Sequence, residues 1–293
     1  MKKSKLIKSG VALSLMFAGL IAVPQTLSAA PTDPPIINLG GYAKKTTISK
    51  TTFAPGVVEF HVTTAPLNPD GVSDNVLILK TDKIDLVLEQ IKLVFTAAQT
   101  PAGAAKSALS MRTVHQYATV YGGGGKGTVW QVNLPAGNYY AITTEAVIFG
   151  EGKPVKFTVT GSPDTVSSLR ATQLSFEASG VVGANQWAVT QTGKSVQWVQ
   201  FANNSQEFHF LFSQGVKSST TKSMISGSLT SNKEPTFFNN LQTVDFEAIS
   251  PGVTVVFKQA WKAGKHLVVC FIPGENDGTP HALQGMWKLF TVK

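Results

Sequence analysis

The sequence predicts an all-β protein built from two tandem Greek-key β-sandwich domains. Three observations lead to this fold class. Most of the chain after residue 30 consists of short segments rich in β-branched and aromatic residues, separated by Gly, Pro, Asn and Ser. Several segments alternate between two faces, and the two halves of the chain resemble each other. Short strands joined by regular turns are typical of sandwiches.

Ten segments read as strands. Phe208, Phe210 and Phe212 lie on one face of such a segment and His209 and Leu211 on the other, which is the period of a strand. The segments of the first half are 57–63, 75–80, 129–134, 139–144 and 155–159. Those of the second half are 196–202, 208–212, 253–257, 266–271 and 288–292.

A single crossover helix is predicted over residues 82–95. Behind a capping Asp82, apolar residues recur at helical spacing, and they are Ile84, Val87, Ile91, Val94 and Phe95. The following stretch, 99–108, is rich in small residues and predicts a loose loop.

An internal repeat sets the predicted domain boundary. The segment 134–143 resembles the segment 261–270, and each is followed by a Gly/Pro loop and a last strand. The join falls near residues 161–164. We therefore expect one domain over residues 31–162 and a second over residues 163–293.

The first 30 residues have the pattern of a secretory signal peptide. Lys2, Lys3, Lys5 and Lys8 precede an apolar run over residues 11–23, and small residues follow at 28–30. We expect cleavage after Ala30 and a secreted, periplasmic or cell-envelope protein without a membrane span. The whole chain has 25 Lys and Arg against 17 Asp and Glu, and removal of the signal leaves a small positive surplus. This surplus predicts no nucleic-acid partner.

The chain has one cysteine, Cys270, so an internal disulfide is excluded. In an oxidising compartment a lone thiol is either buried and inert or held by a ligand such as a metal. The residues around it favour the second interpretation. Cys270 ends a predicted strand and is followed by a Pro-Gly turn at 273–274, then by His281, and after four residues by Gly285 and Met286. A polar stretch, 203–207, precedes His209.

This pattern resembles the signature of the cupredoxins, the blue-copper β-sandwich family, clearest over residues 196–293. The resemblance implies a copper site made by His209, Cys270 and His281, with Met286 as a long axial ligand. A thiolate, two imidazoles and a thioether are donors that suit copper. It also implies a role in electron transfer or copper handling, with a redox protein or a copper donor as partner. The first domain is then a degenerate copy without the ligands.

One departure from the family pattern leaves two outcomes open. Ten residues separate Cys270 from His281, where the family has two to four. The insertion over residues 275–280 either loops out and returns His281 to the site, or carries it to the surface. In the second case the protein is a metal-free binding or structural module of the cell envelope.

Other candidate chemistry is weaker. Val269 and Phe271 flank Cys270, so the three consecutive residues His-Cys-His that multicopper oxidases require are missing from the sequence. No enzyme activity is therefore predicted. His266 shares a strand face with Cys270 and is a candidate neighbour of the site. His61 and His115 are expected to be partly exposed strand or loop residues. Carboxylates such as Glu89, Asp245 and Glu247 are scattered, and the sequence pairs none of them.

Overall fold

Two mixed β-sheets make up most of the protein. The computed structural model describes residues 33–42, 45–64, 75–97, 101–150, 152–163, 168–231 and 234–293. The predicted signal peptide, residues 1–30, lies outside the described residues. No helix in these ranges is both long enough and apolar enough to cross a bilayer.

The first half of the chain contributes nine strands within the described ranges and three of the helices. The strands are β1 (Ile36–Tyr42), β2 (Lys45–Ile48), β3 (Thr52–Phe53), β4 (Gly56–Thr64), β5 (Val76–Lys80), β6 (Thr119–Gly124), β7 (Val129–Leu134), β8 (Gly137–Thr143) and β9 (Val155–Val159). The helices are α1 (Ile84–Ala97), α2 (Ala104–Tyr117) and α3 (Thr144–Phe149).

The second half contributes eight strands in the part of the chain that is described. They are β10 (Leu174–Val181), β11 (Ala184–Gln191), β12 (Trp198–Asn204), β13 (His209–Val216), β14 (Phe238–Ile249), β15 (Thr254–Lys258), β16 (Gly264–Val269) and β17 (Trp287–Val292). One short helix, α4 (Lys222–Leu229), follows β13. Each of the ten predicted strand segments overlaps one of these strands, so the all-β prediction is confirmed.

The two halves repeat one strand order. The first sheet runs β11-β10-β12-β15-β7-β4-β1-β2, and the second runs β17-β16-β13-β14-β6-β5-β8-β9-β3. In both sheets the second half of the chain supplies one side and the first half the other. The halves meet where β15 pairs with β7 and β14 pairs with β6.

The core lies between the two sheets and runs through both halves. Phe60 and Trp130 from the first sheet contact Phe157 and Phe246 from the second, with ring centroids 6.4 and 6.2 Å apart. Cys270 and Met286 belong to the same buried cluster. Residues 31–293 form one compact unit. The division into domains at residues 162 and 163 stays a prediction.

The helices differ from the expectation in number. The helix predicted over 82–95 is α1, with Val87, Ile91 and Val94 buried. The predicted loose loop at 99–108 is wrong from Ala104 onwards, because α2 begins there. Its small residues allow close packing on α1, and Ser107 Oγ donates to the carbonyl oxygen of Val94 at 3.3 Å. The two helices cover the outer face of the second sheet, where Phe208 packs beneath them.

Candidate metal centre

The four predicted ligands lie at one end of the second half. His209 is the first residue of β13, and Cys270 directly follows β16, the antiparallel neighbour of β13. His281 lies in the loop between β16 and β17, and Met286 directly precedes β17. All four residues are completely buried. Neighbouring strand ends therefore bring residues that are far apart in sequence to one place in the core.

Three of these residues present their donor atoms to a common point. One ligand atom each from His209, Cys270 and His281 lies within 4.8 Å of the others. Cys270 Sγ is 3.6 Å from His281 Nδ1. The two imidazole rings have centroids 4.7 Å apart. Among the described residues, this is the one group of three His, Cys, Asp or Glu side chains with metal-ligand spacing.

The alternation of β13 turns His209 inward. His209, Leu211 and Ser213 are buried, whereas Phe210 and Phe212 on the other face are partly exposed. A polar residue on the inner face requires partners, because an unpaired buried nitrogen costs about 1–3 kcal/mol.

His209 has one nitrogen satisfied and one free. Its Nε2 lies 2.8 Å from Ser205 Oγ, while its Nδ1 is buried without a hydrogen-bond partner. Ser205 Oγ donates to Asn203 Oδ1 at 2.7 Å. This arrangement assigns the proton of the neutral imidazole to Nε2 and leaves the Nδ1 lone pair facing the site. Burial lowers the pKa of His209, and the charge on His281 lowers it further, so the ring is neutral.

The inserted loop closes on itself and returns His281 to the site. Pro273 and Pro280 form an isolated antiparallel bridge, and Gly274 N donates to Thr279 O at 2.9 Å. His281 N then donates to Ile272 O at 2.9 Å. The bridge closes residues 274–279 into a side loop, so the direct path from Cys270 to His281 is short. The excursion to the surface, left open by the sequence, does not occur.

Helix α2 of the first half holds this loop. Arg112 donates to the carbonyl oxygen of Glu275, and His115 Nδ1 lies 2.9 Å from Glu275 Oε1. Gly278 has φ 75°, and a Cβ atom there would lie 2.0 Å from the carbonyl oxygen of Ala104. Only glycine therefore fits against the start of α2.

Glu207 lies behind His281 and links it to the loop. Its carboxylate is completely buried and accepts hydrogen bonds from Glu275 N at 2.7 Å, Gly183 N at 3.0 Å and Asn185 Nδ2 at 2.5 Å. His281 Nε2 lies 3.4 Å from Glu207 Oε1, which is an ion-pair contact without hydrogen-bond geometry. Carboxylates in this position orient metal-binding imidazoles.

The charges at the site oppose each other. Burial raises the pKa of Glu207, but the contact with His281 and the backbone N–H donors outweigh it and hold the pKa at about 2. Burial lowers the pKa of His281, but its contacts with Cys270 and Glu207 outweigh that and raise the pKa to about 9. Without a metal, His281 is therefore a cation beside an anionic Glu207 at neutral pH.

Met286 is tied to both neighbouring ligand positions through its backbone. Its N–H donates to His281 O at 2.9 Å, and its carbonyl oxygen accepts from Cys270 N at 3.3 Å. Its side chain is buried in the same core cluster as Cys270. The axial role of its sulfur stays a prediction.

The other histidines lie outside the group. His266 is buried, but it accepts from Trp261 Nε1 at 3.4 Å and donates to Lys262 O at 2.9 Å, which uses both ring nitrogens. His61 is partly exposed on β4, as expected, and contacts Glu59 at 2.6 Å. His115 lies on a helix rather than on a strand or loop, and this correction follows from the unpredicted α2.

The first half has no equivalent set among its described residues. Thr143 is the counterpart of Cys270 in the repeat. It ends β8 and pairs with Val76 on β5, and this pairing corresponds to the pairing of β16 with β13.

Glu207 and Glu275 are supporting residues that the sequence analysis did not predict. The position of Glu207, two residues before His209, is a signal that was available.

The fold of this chain is similar to that of several solved structures. No protein-family model matches the chain, and no curated protein matches it. Similar solved structures include auracyanin B, with 16% identity, 41% of this chain and 86% of that chain covered, and a TM-score of 0.25. A multicopper oxidase has 10% identity, 88% coverage of both chains and a TM-score of 0.22. The copper nitrite reductase from Nitrosomonas europaea has 8% identity, 89% and 94% coverage and a TM-score of 0.23.

These TM-scores are all below 0.5, so the interpretation of the site rests on its own geometry. The chain has the sandwich strands and the buried His-Cys-His group that a resemblance to the cupredoxins implies. Two imidazole nitrogens and one sulfur form a set compatible with copper.

Proposed function

We propose that this chain is an exported copper-binding protein of the cupredoxin type that transfers electrons. The observation that carries this proposal is the cluster of one ring nitrogen of His209, Cys270 Sγ and one ring nitrogen of His281, all within 4.8 Å of one another in the core. His209, Cys270 and His281 would hold the metal, with Met286 as a further donor. Bound copper would supply a one-electron redox couple.

The donor set fits copper better than it fits hard cations. Thiolate and imidazole are soft or intermediate donors, whereas magnesium and calcium prefer oxygen. His209 Nδ1 is buried without a protein partner, so a metal would satisfy it. Ser205 Oγ lies at hydrogen-bond distance from His209 Nε2, and the Glu207 carboxylate lies 3.4 Å from His281 Nε2. Protein contacts therefore orient both imidazole rings in the absence of a metal.

Complete burial favours electron transfer over copper handling. A copper carrier has to exchange ligands with its donor, and exchange requires at least one accessible ligand atom. All four predicted ligands are buried, and α2 holds the loop that carries His281. Phe271, next to Cys270, is 47% exposed and would bring a redox partner within one residue of the sulfur.

We further propose that the chain is exported and that its two halves have different roles. The N-terminal pattern supports export to the cell surface, the periplasm or the medium. We assign the copper site to the second half, residues 163–293. The first half, residues 31–162, has a supporting role, because its helix α2 contacts the inserted loop over residues 275–280, called the metal loop below.

The proposal is tested by adding Cu(II) to the purified chain from Pro31 to Lys293. We expect one equivalent to bind and to give a visible sulfur-to-copper absorption band. Cys270→Ser should abolish the band, and Met286→Leu, a volume-conserving change, should retain copper and shift the band. His61→Gln alters a histidine outside the site and should behave as wild type.

Two other results would overturn the proposal. Tight binding of Cu(I) without a Cu(II) band would indicate copper handling. No uptake at stoichiometric metal would indicate a metal-free binding or structural module.

A further inference from the structure

A cavity lies on the outer face of the second sheet, and its lining includes two residues that neighbour predicted metal ligands, Phe208 beside His209 and Phe271 beside Cys270. Its volume is ≈ 340 Å³, within the range of small-molecule sites. Helices α1 and α2 form one side, strands β5, β6, β13 and β14 form the other, and residues 271–273 after β16 complete the lining. Most of its walls are apolar, and they include Leu79, Ile91, Val94, Met111, Val114 and Phe208.

Two carboxylates interrupt these apolar walls. Asp245 and Glu247 lie two positions apart on β14, on the face opposite the buried Phe246, and both line the cavity. Glu247 Oε1 accepts hydrogen bonds from Asn75 Nδ2 at 2.9 Å and Thr144 Oγ1 at 3.0 Å. Asparagine and threonine orient this carboxylate without neutralising it.

The negative charge of this pair is not balanced within the cavity. None of the described lining residues is Lys, Arg or His. No ion pair joins Asp245 or Glu247 to a basic residue in the described part of the chain. Lys126 and Lys258 line a separate cavity that also reaches Asp245.

This arrangement shifts the pKa of Asp245. Asp245 is solvent-exposed, yet the cavity walls displace part of the water around its carboxyl. That loss of water, followed by repulsion from Glu247, raises its pKa to about 7, and Asn75 opposes the shift. A group so perturbed in a cleft is a candidate for a binding role. A cation placed beside the two carboxylates would relieve the repulsion.

We propose that this cavity binds a small organic cation, an amine with an apolar body of about one aromatic ring. The apolar walls would remove the body from water, and Asp245 and Glu247 would accept charge-assisted hydrogen bonds from the ammonium group. A metal ion is a poorer fit, because the walls offer few oxygen ligands. The site is independent of the copper proposal, since no predicted metal ligand lines it.

The test compares two probes with the same apolar body, one ending in a charged ammonium group and the other in a neutral hydroxyl group. We expect 4-phenylbutylamine to bind at pH 8, measured by calorimetry, at least about tenfold more tightly than 4-phenylbutan-1-ol, a difference of about 1.4 kcal/mol. Asp245→Asn should weaken the amine about tenfold and leave the alcohol unchanged. Glu177→Gln, an exposed carboxylate elsewhere, should change neither affinity.

Changing the pH gives a second readout. Asp245 faces Glu247 on its own strand and Lys126 and Lys258 across the separate cavity. Because it gains charge as the pH rises through about 7, the amine should bind more tightly at pH 8 than at pH 6, with little change for the alcohol. Equal affinity for amine and alcohol, no effect of Asp245→Asn, or no binding of either probe would each overturn the proposal.

Discussion

His115, on a helix of the first half, contacts Glu275, which lies in the metal loop of the second half. The two residues are 160 positions apart, and His115 Nδ1 is 2.9 Å from Glu275 Oε1. The Glu275 N–H donates in turn to Glu207, the carboxylate behind His281. The first half thus supports the geometry of a site to which it contributes no predicted ligand.

Removing the His115 contact should loosen the metal loop. We expect His115→Leu to increase copper release about two- to fivefold, since a partly exposed ion pair contributes up to about 1 kcal/mol. The measurement is the rate of copper transfer to a chelator after rapid mixing. His61→Leu breaks a His–Glu pair distant from the site and is the matched control. Equal release rates for the two variants would show that α2 does not support the loop.

Gly278 makes a second contact between the halves that can be tested. Gly278→Ala places a methyl group against the Ala104 carbonyl oxygen and forces a residue with a side chain into φ 75°. We expect a loss of about 1–2 kcal/mol in the free energy of unfolding, measured in urea, and faster copper release. Gly252→Ala has a similar φ of 76° with open space around it, so it should lower stability but leave copper release unchanged. The same release rate in both variants would contradict the docking of the loop on α2.

The strands and the ligand types could be predicted from sequence because local patterns determine them. Runs of β-branched and aromatic residues between turns identified ten strand segments, and period-two alternation in one of them placed His209 and Leu211 opposite Phe208 and Phe210. The motif from Cys270 to Met286 predicted that Cys270 and His281 belong to one site, and the structure brings both together with His209. The repeat between 134–143 and 261–270 reappears as β8 and β16 at matching places in the second sheet.

The remaining features depend on contacts that are distant in sequence. The return of His281 depends on a backbone bridge between Pro273 and Pro280 and on the contact of α2 with Glu275. Neither contact can be recognised from a local sequence pattern. Helix α2 was missed because its small residues, which allow it to pack on α1, are equally common in loops. Asp245 and Glu247 line a cavity only because α1 and α2 cover that face of the sheet, and no local pattern predicts this arrangement.

Glu207 should control copper affinity through the orientation of His281. Glu207→Gln keeps the shape but removes the charge that faces His281 Nε2. We expect copper affinity to fall about 10–100-fold, as for other carboxylates behind metal-bound imidazoles. Competition with a chelator measures the affinity, and the visible band reports whether the ligands are retained. Glu177→Gln should match wild type. An unchanged affinity in Glu207→Gln would separate this carboxylate from the site.

The charge pair in the outer cavity should make stability depend on pH. The Asp245 carboxyl has a pKa of about 7 in the folded protein, against its ordinary 3.8. The unfolded chain therefore loses this proton first, and its contribution destabilises the fold progressively as the pH rises from about 4 to 7. Asp245→Asn should raise the Tm at pH 8 by about 2–4 °C, a modest value because solvent reaches the side chain. The gain should nearly disappear at pH 4, whereas Glu177→Gln should show no such dependence on pH. A gain of equal size at both pH values would mean that amide packing, rather than relief of repulsion from Glu247, stabilises the variant.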